Sequence, residues 1–303
     1  MMLRKVLIGA LCLSAVVTGV YQAGCILKEK TEKAREKKLL EKFQEIMSRE
    51  KENNLLFGKL GRQEIGISLN SEISGARNTN VLVVGGTGTG KSYQYMLSNL
   101  LNADASFVVF DPYRNLLKEY GANFEEKGFE LYSVEEEWYS KEFETEFHSL
   151  GENIRKQKSI VFLNVKDAEF ATDFVTDIYE QIEQNREGKH VLFWLDEICN
   201  MEKIPKFPKM LASARTNHAG FQIIVQSFSE LEEKYGNKYS SIIMNCDTVI
   251  STGAVICSNM ETLVKYFNVD AEDCKRTDFT KNLVIERGFS PVVCDKLNPA
   301  ISK

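Results

Sequence analysis

The alternation of apolar and polar positions divides this chain into an apolar start, a charged stretch and a long strand–helix repeat. Val6 to Ile26 is uncharged, with Ser14, Thr18, Tyr21 and Gln22 as its polar interruptions. A helix of that length at ~1.5 Å per residue matches a ~30 Å hydrocarbon core. Leu27 to Asn53 is dense in charge, and Leu39, Leu40, Phe43, Ile46 and Met47 form a narrow apolar stripe at helical spacing. That stripe reads as one side of a solvated helix; a self-associating seam is the alternative. Asn54 to Asn80 reads as a loop with small strands. Short apolar β-branched runs follow: Val81–Val84, Ser106–Asp111, Ser159–Val165, Val191–Glu197, Phe221–Gln226 and Thr248–Ser251. Gly128–Tyr132 is a candidate edge strand, and Leu283–Glu286 with Val292–Cys294 closes the sheet.

Helical patterns separate these strands. They run over Tyr93–Leu101, after Pro112, along the face Phe170, Phe174, Ile178 and Ile182, over Phe207–Arg215, Leu231–Met244 and Met260–Phe267. Glu135 to Phe147, with six Glu and one Lys, reads as a surface segment. Strands alternating with helices predict a mainly parallel, doubly wound α/β sheet with its site at the strand C-termini. The organisation expected is a membrane anchor over 1–27, a charged juxtamembrane helix over 28–53 and one α/β domain over 54–303.

The chemistry concentrates where the first of these strands ends. Gly85-Gly86-Thr87-Gly88-Thr89-Gly90-Lys91-Ser92 fills the pattern G-x-x-x-x-G-K-[ST]. Small residues let successive backbone N–H groups converge on phosphate oxygens, with the helix dipole behind them. Lys91 can reach the β- and γ-phosphates of ATP, and the Ser92 hydroxyl can ligate Mg²⁺. A second strand ends in Asp196-Glu197. Asp196 suits the Mg²⁺ shell, Glu197 can orient or deprotonate the attacking water, and Gln226 at another strand tip can sense the γ-phosphate.

Composition narrows the rest. The chain has 303 residues, 43% hydrophobic, with a net charge of −5, so any DNA contact must be a local basic surface or a pore lining. Seven cysteines without a C-x-x-C pair, and three histidines, support neither a zinc site nor a disulfide framework. A cleaved signal or lipoprotein peptide is the rival reading of the N-terminus, at Ala23-Gly24-Cys25. Seven basic residues between Lys28 and Lys42, against two before the span, argue instead for a retained single-pass anchor with the nucleotide-binding domain in the cytoplasm.

The order of these pieces resembles the type IV secretion coupling proteins, the TraG/TraD-type ATPases of bacterial conjugation. The resemblance rests on Asn78-x-Asn80 before the first strand, the loop, Asp111-Pro112, Leu195-Asp196-Glu197 and Lys203-Ile204-Pro205. It continues through Ala214-Arg215, Val225-Gln226-Ser227, Leu231 to Gly236, Asn245 to Thr248, and a tail from Val284 to Lys296. It implies a RecA-like, hexameric motor in the cytoplasmic membrane, passing a DNA or relaxase–DNA cargo to the channel proteins of the secretion system. It also implies that Arg215 faces a neighbouring subunit's nucleotide; a helix-end arginine or a DNA-phosphate contact is the alternative. The chain departs from the family pattern in showing one apolar span, and in Glu230 at a usual glutamine. Asp111-Pro112-Tyr113-Arg114-Asn115 replaces the familiar Asp-Pro-Lys-Gly-Glu. The 47 residues between Asp111 and Ser159 leave no room for the usual inserted helical recognition domain. A DNA translocase or packaging motor outside conjugation, and a scaffold that binds ATP without hydrolysing it, are the competing functions.

Overall fold

The computed structural model describes residues 2–112, 115–135, 144–254 and 257–299, with the side chains of 2–20, 115, 144–148 and 257–258 left aside. Two compact units result, Met1–Lys42 and Phe43–Lys303. The described residues of the first belong to one helix, Met2–Ile46. Among the described residues no helix is long and apolar enough to cross a membrane, and most side chains of the stretch Val6–Ile26 lie outside the description.

The second unit is built on one eleven-stranded sheet. In chain order the strands are β1 (Asn54–Leu60), β2 (Gln63–Ser68), β3 (Val81–Val84), β4 (Ser106–Phe110), β5 (Glu130–Val134) and β6 (Ser159–Leu163). Then come β7 (Val191–Leu195), β8 (Ala219–Val225), β9 (Thr248–Thr252), β10 (Lys281–Glu286) and β11 (Val292–Asp295). The spatial order is β2-β1-β11-β10-β9-β3-β8-β7-β4-β6-β5. From β9 to β5 every pairing is parallel; from β9 to β2 every pairing is antiparallel. The sheet is therefore mixed, with a parallel half that carries the predicted doubly wound pattern.

Strands β3, β4 and β6 to β9 are buried along their whole length, as expected of parallel strands covered on both faces. Successive side chains show the two faces. Phe193 and Phe221 stack at 4.8 Å and meet Tyr179 of the helix Ala168–Gln184 and Phe207 of the helix Phe207–Ser213. One residue along, Trp194 and Gln222 point the other way. There Tyr95 packs on Trp194 at 5.3 Å, and its hydroxyl donates to Gln222 Oε1 at 2.8 Å. Asn80 braces the start of β3, donating from Nδ2 to the carbonyls of Leu211 and Asn245 and accepting from the Phe221 amide.

Three expectations change. The strands of 54–80 form the β1–β2 hairpin at the sheet's far edge, while β10 and β11 lie inside the sheet. Gly66 makes that hairpin look like a loop in sequence. A Cβ there would sit 2.2 Å from the Leu55 carbonyl oxygen, so glycine is required by close packing inside a strand pair. The helix after Asp111-Pro112 begins at Asn115, and Pro112 lies in the preceding turn. Asp111 Oδ2 instead accepts from the Leu116 amide at 2.9 Å. The acidic segment Glu135–Phe147 falls largely outside the described residues.

The third change concerns the apolar stripe. Phe43 is fully buried, stacked on Phe289 at 5.8 Å and edge-on to Phe57 at 6.5 Å. The Arg77 guanidinium lies 4.6 Å over the other partner of that stack, Phe289, and its Nε stands 3.1 Å from Glu286 Oε1. Glu286 is buried and accepts from the Thr248 hydroxyl on β9. This end of the stripe is core, not a solvated face.

Two outcomes follow from that stack. Phe43→Ala should lower stability by about 3 kcal/mol, the usual cost of a truncated core aromatic, read as a shift in the urea unfolding midpoint. Burial pushes the Glu286 carboxyl up to about 7 from an ordinary 4.5, despite the opposing pull of Thr248 and Arg77. A carboxyl raised on folding stabilises while protonated, so its contribution is full below pH ~4.5 and is lost as the pH rises through about 7. Unfolding midpoints taken from pH 5 to 8 should show that loss, of order 1–3 kcal/mol, and Glu286→Gln should flatten it.

Candidate functional site

Parallel register places the candidate residues side by side. Val84 pairs with Val225, and Leu195 pairs with Ile223, so β3, β8 and β7 end at one edge with β8 in the middle. The Gly85 amide continues the ladder, donating to the Val225 carbonyl at 3.2 Å. Beyond these tips the loop 85–90 turns into a helix that begins with a widened π-type turn, Lys91–Leu97, and continues as Ser98–Asn102. A Cβ at Gly85 would sit 2.5 Å from the Thr252 carbonyl oxygen and 2.8 Å from Thr89 Oγ1, so the loop packs directly on the end of β9.

The loop, from Thr87 through Gln94, and the acids Asp196 and Glu197 line one cleft of about 480 Å³. That volume suits a nucleotide-sized ligand. Lys91 is buried and donates from Nζ to the carbonyls of Gly85 at 2.6 Å and Gly86 at 2.9 Å. Burial lowers its pKa, against the opposing charges of Asp196, Glu197 and Glu230.

Ser92 Oγ donates to Asp196 Oδ2 at 2.6 Å, closing the gap between the loop helix and the tip of β7. Burial raises the Asp196 pKa, and the Ser92 hydrogen bond works against that rise. Its other oxygen, Oδ1, is buried with no hydrogen-bond partner among the described residues. A hydroxyl oxygen beside a carboxylate with one unsatisfied buried atom is a hard-oxygen pair that fits Mg²⁺.

Glu197 adopts a left-handed backbone conformation, φ 51° and ψ 52°, unusual for a residue with a side chain. Its carboxylate accepts from Gln226 Nε2 at 3.3 Å and from Asn200 Nδ2 at 2.8 Å. Glu230 accepts from the Gln226 amide at 3.1 Å, while its own amide donates to Ser227 Oγ at 3.2 Å. The spacing Ser227-x-x-Glu230 at a helix start is the signal that sequence reading could have used for this brace. Asp111, buried at the tip of β4 where Phe110 pairs with Leu195, adds a third acid whose charge raises Asp196.

The structure thus brings together Gly85 to Ser92, Asp196, Glu197 and Gln226. Arg215 lies apart from them. It is exposed in the turn Ala214–Asn217, ahead of the N-terminal end of β8. Seven residues of strand, roughly 20 Å, separate that end from Gln226. A cation that sequence reading missed stands at the loop itself: Lys296 Nζ donates to the Thr89 carbonyl at 2.6 Å.

Residues 28–136 match the family described as type IV secretory system conjugative DNA transfer, and residues 190–267 match the TraM recognition site of TraD and TraG. No curated protein matches the chain. Among solved structures, the bacterial conjugative coupling protein TrwBdeltaN70 in its unbound form gives a TM-score of 0.55 at 11% identity, over 76% of this chain and 87% of that one. The plasmid coupling protein TrwB in complex with ADP and Mg²⁺ gives 0.53 at 11% identity, over 74% and 86%. VirB4 of Thermoanaerobacter pseudethanolicus gives 0.52 at 11% identity, over 82% and 97%. At such identities these likenesses show a shared fold. With the two family matches flanking the cleft, the chain belongs to the type IV secretion coupling protein family.

Proposed function

We propose that this chain is a membrane-anchored ATPase that spends ATP to deliver a DNA or relaxase–DNA cargo into a type IV, conjugative secretion channel. The observation that carries the reading is the Ser92–Asp196 contact, with Glu197 in the lining of the same cleft and Gln226 hydrogen-bonded to Glu197. ATP would lie along the loop, with Lys91 exchanging its bonds to Gly85 and Gly86 for phosphate oxygens. Mg²⁺ held by Ser92 and Asp196 would neutralise phosphate charge. Glu197 would take the proton of the attacking water, and Gln226 would report the γ-phosphate to the helix that Ser227 caps.

A scaffold that only binds ATP has no use for a strained, hydrogen-bonded carboxylate at that position. Val6 to Ile26 serves as a single-pass anchor in the inner, cytoplasmic membrane, with the basic residues Lys28 to Lys42 keeping the motor in the cytoplasm. The short span between β4 and β6 supports a compact family member whose cargo is recognised through a partner. The working unit is a homo-hexamer.

Lys91→Ala should weaken nucleotide binding. Glu197→Gln should bind ATP as the parent does but turn over roughly 10²-fold more slowly, the scale of a lost general base. Normal turnover by Glu197→Gln, with and without DNA in a steady-state phosphate-release assay, would remove that carboxylate from the reaction.

Arg215 is too far from its own chain's cleft to serve it, which supports a role at the neighbouring subunit's nucleotide. Removing an arginine that acts in trans costs on the order of 10³-fold in rate where such residues have been measured. Arg215→Ala and Lys91→Ala subunits, each nearly inactive alone, should therefore regain ATPase activity when mixed into one ring. Mixed rings that form and stay inactive refute the trans role. Loss confined to DNA-stimulated turnover makes Arg215 a pore contact.

A further inference from the structure

The acids occupy one flank of β3. Asp196 and Glu197 stand at the tip of β7, and Gln226 at the tip of the intervening β8. The other flank is β9, which ends at Thr252 and Gly253, and it carries a second group of residues against the loop. Thr252 Oγ1 and Lys296 Nζ both donate to the Thr89 carbonyl, at 3.0 and 2.6 Å. Gly253, at φ 79°, closes against the same threonine: a Cβ there would lie 2.8 Å from Thr89 Cγ2 and 3.8 Å from Phe279 Cδ1. Thr89, Gly253, Lys296 and Phe279 are therefore one cluster beside the phosphate loop.

Phe279 is 70% exposed. The turn that presents it is fixed at both ends. Asp278 accepts from the Thr280 amide at 2.7 Å and from its hydroxyl at 2.6 Å, and Lys281 pairs with Asp295 next to Lys296. Lys296 is half-buried, and burial and the charge of Lys91 both lower its pKa, so two cations share the loop.

A nucleoside triphosphate is a polar object with two different ends. For hydrolysis its γ-phosphate must face Glu197 and Gln226, on the β8 flank. A triphosphate laid along the loop then carries its nucleoside off on the opposite flank, toward β9. The geometry points to Phe279 as the platform on which the nucleobase stacks, with Lys296 a second cation for the phosphate nearest the nucleoside. This inference rests on the ATPase reading and extends it to the nucleoside. A phenyl ring offers its face and no hydrogen bonds, so the platform suits purine nucleotides as a class and discriminates weakly between adenine and guanine.

The test is equilibrium binding of ATP, GTP and inorganic tripolyphosphate, each with Mg²⁺, to the full chain and its variants. The parent should bind ATP and GTP similarly, and both more tightly than tripolyphosphate. Phe279→Ala should lose about tenfold in affinity for ATP and nothing for tripolyphosphate, the range of a lost base–aromatic stack. Lys296→Ala should weaken both ligands by a similar factor. Phe279→Trp should retain ATP affinity, and its fluorescence, taken against the parent's, should change with ATP and not with tripolyphosphate. Unchanged ATP affinity in Phe279→Ala, equal losses for both ligands there, or a tryptophan blind to ATP would overturn the stacking role with the ATPase reading intact. A parent chain that binds neither ATP nor tripolyphosphate would instead sink the ATPase reading itself.

Discussion

The constraint on which this site depends is the parallel pairing of β8 with β3 on one side and β7 on the other. Parallel pairing in fixed register brings three strand tips to the same edge. That alignment lets the Ser92 hydroxyl, on the helix after β3, reach Asp196, which is two strands away in the sheet and 104 positions away in the chain. It also sets Gln226 between the loop and Glu197. A one-residue slip of β8 would turn Phe221 and Ile223 to the opposite face and break the aromatic stack on Phe193. The core that fixes the register and the polar row at the edge are therefore two consequences of one pairing.

Much of the parallel half was legible because its strands are short, apolar and β-branched, and because each empties into residues with distinct chemistry. Val81–Val84 before the glycines, and Val191–Leu195 before Asp196-Glu197, could be read as buried strands with a polar exit. The antiparallel half was less legible for a physical reason. Its strands use glycine for close approach, as at Gly66, and so carry the same letters as loops. The stripe around Phe43 showed its helical period but could not show its partners. Phe57 is near it in sequence, whereas Phe289 comes from the far end of the chain.

The same limit explains the site residues that sequence missed. Lys296 meets Thr89 across 207 positions, and no spacing rule links a tail lysine to a loop carbonyl. Glu230 looked like a departure from the family pattern. In place, its carboxylate holds the Gln226 amide, a bond that an acceptor-only side chain makes well. Asn80, by contrast, formed part of the family resemblance, yet its bonds go to the carbonyls of Leu211 and Asn245 and the amide of Phe221. It sits under the loop's strand and never approaches the cleft. Residues that identify a family and residues that line its site are overlapping sets, not the same set.

The charges around the loop bear on how tightly it can hold a nucleotide. Lys91 and Lys296 each donate to loop carbonyls rather than standing free. Phosphate oxygens would replace those carbonyls, so each new bond is an exchange, and the net gain per bond is of order 1 kcal/mol rather than its full strength. Asp196 and Glu197 line the same cleft, and their repulsion of a triphosphate would be relieved by a cation that accompanies it. The surplus of such binding over the costs of ordering would be modest. An ATPase must release its spent nucleotide on every cycle, and a site that binds by exchange, beside two acids, serves release as much as capture.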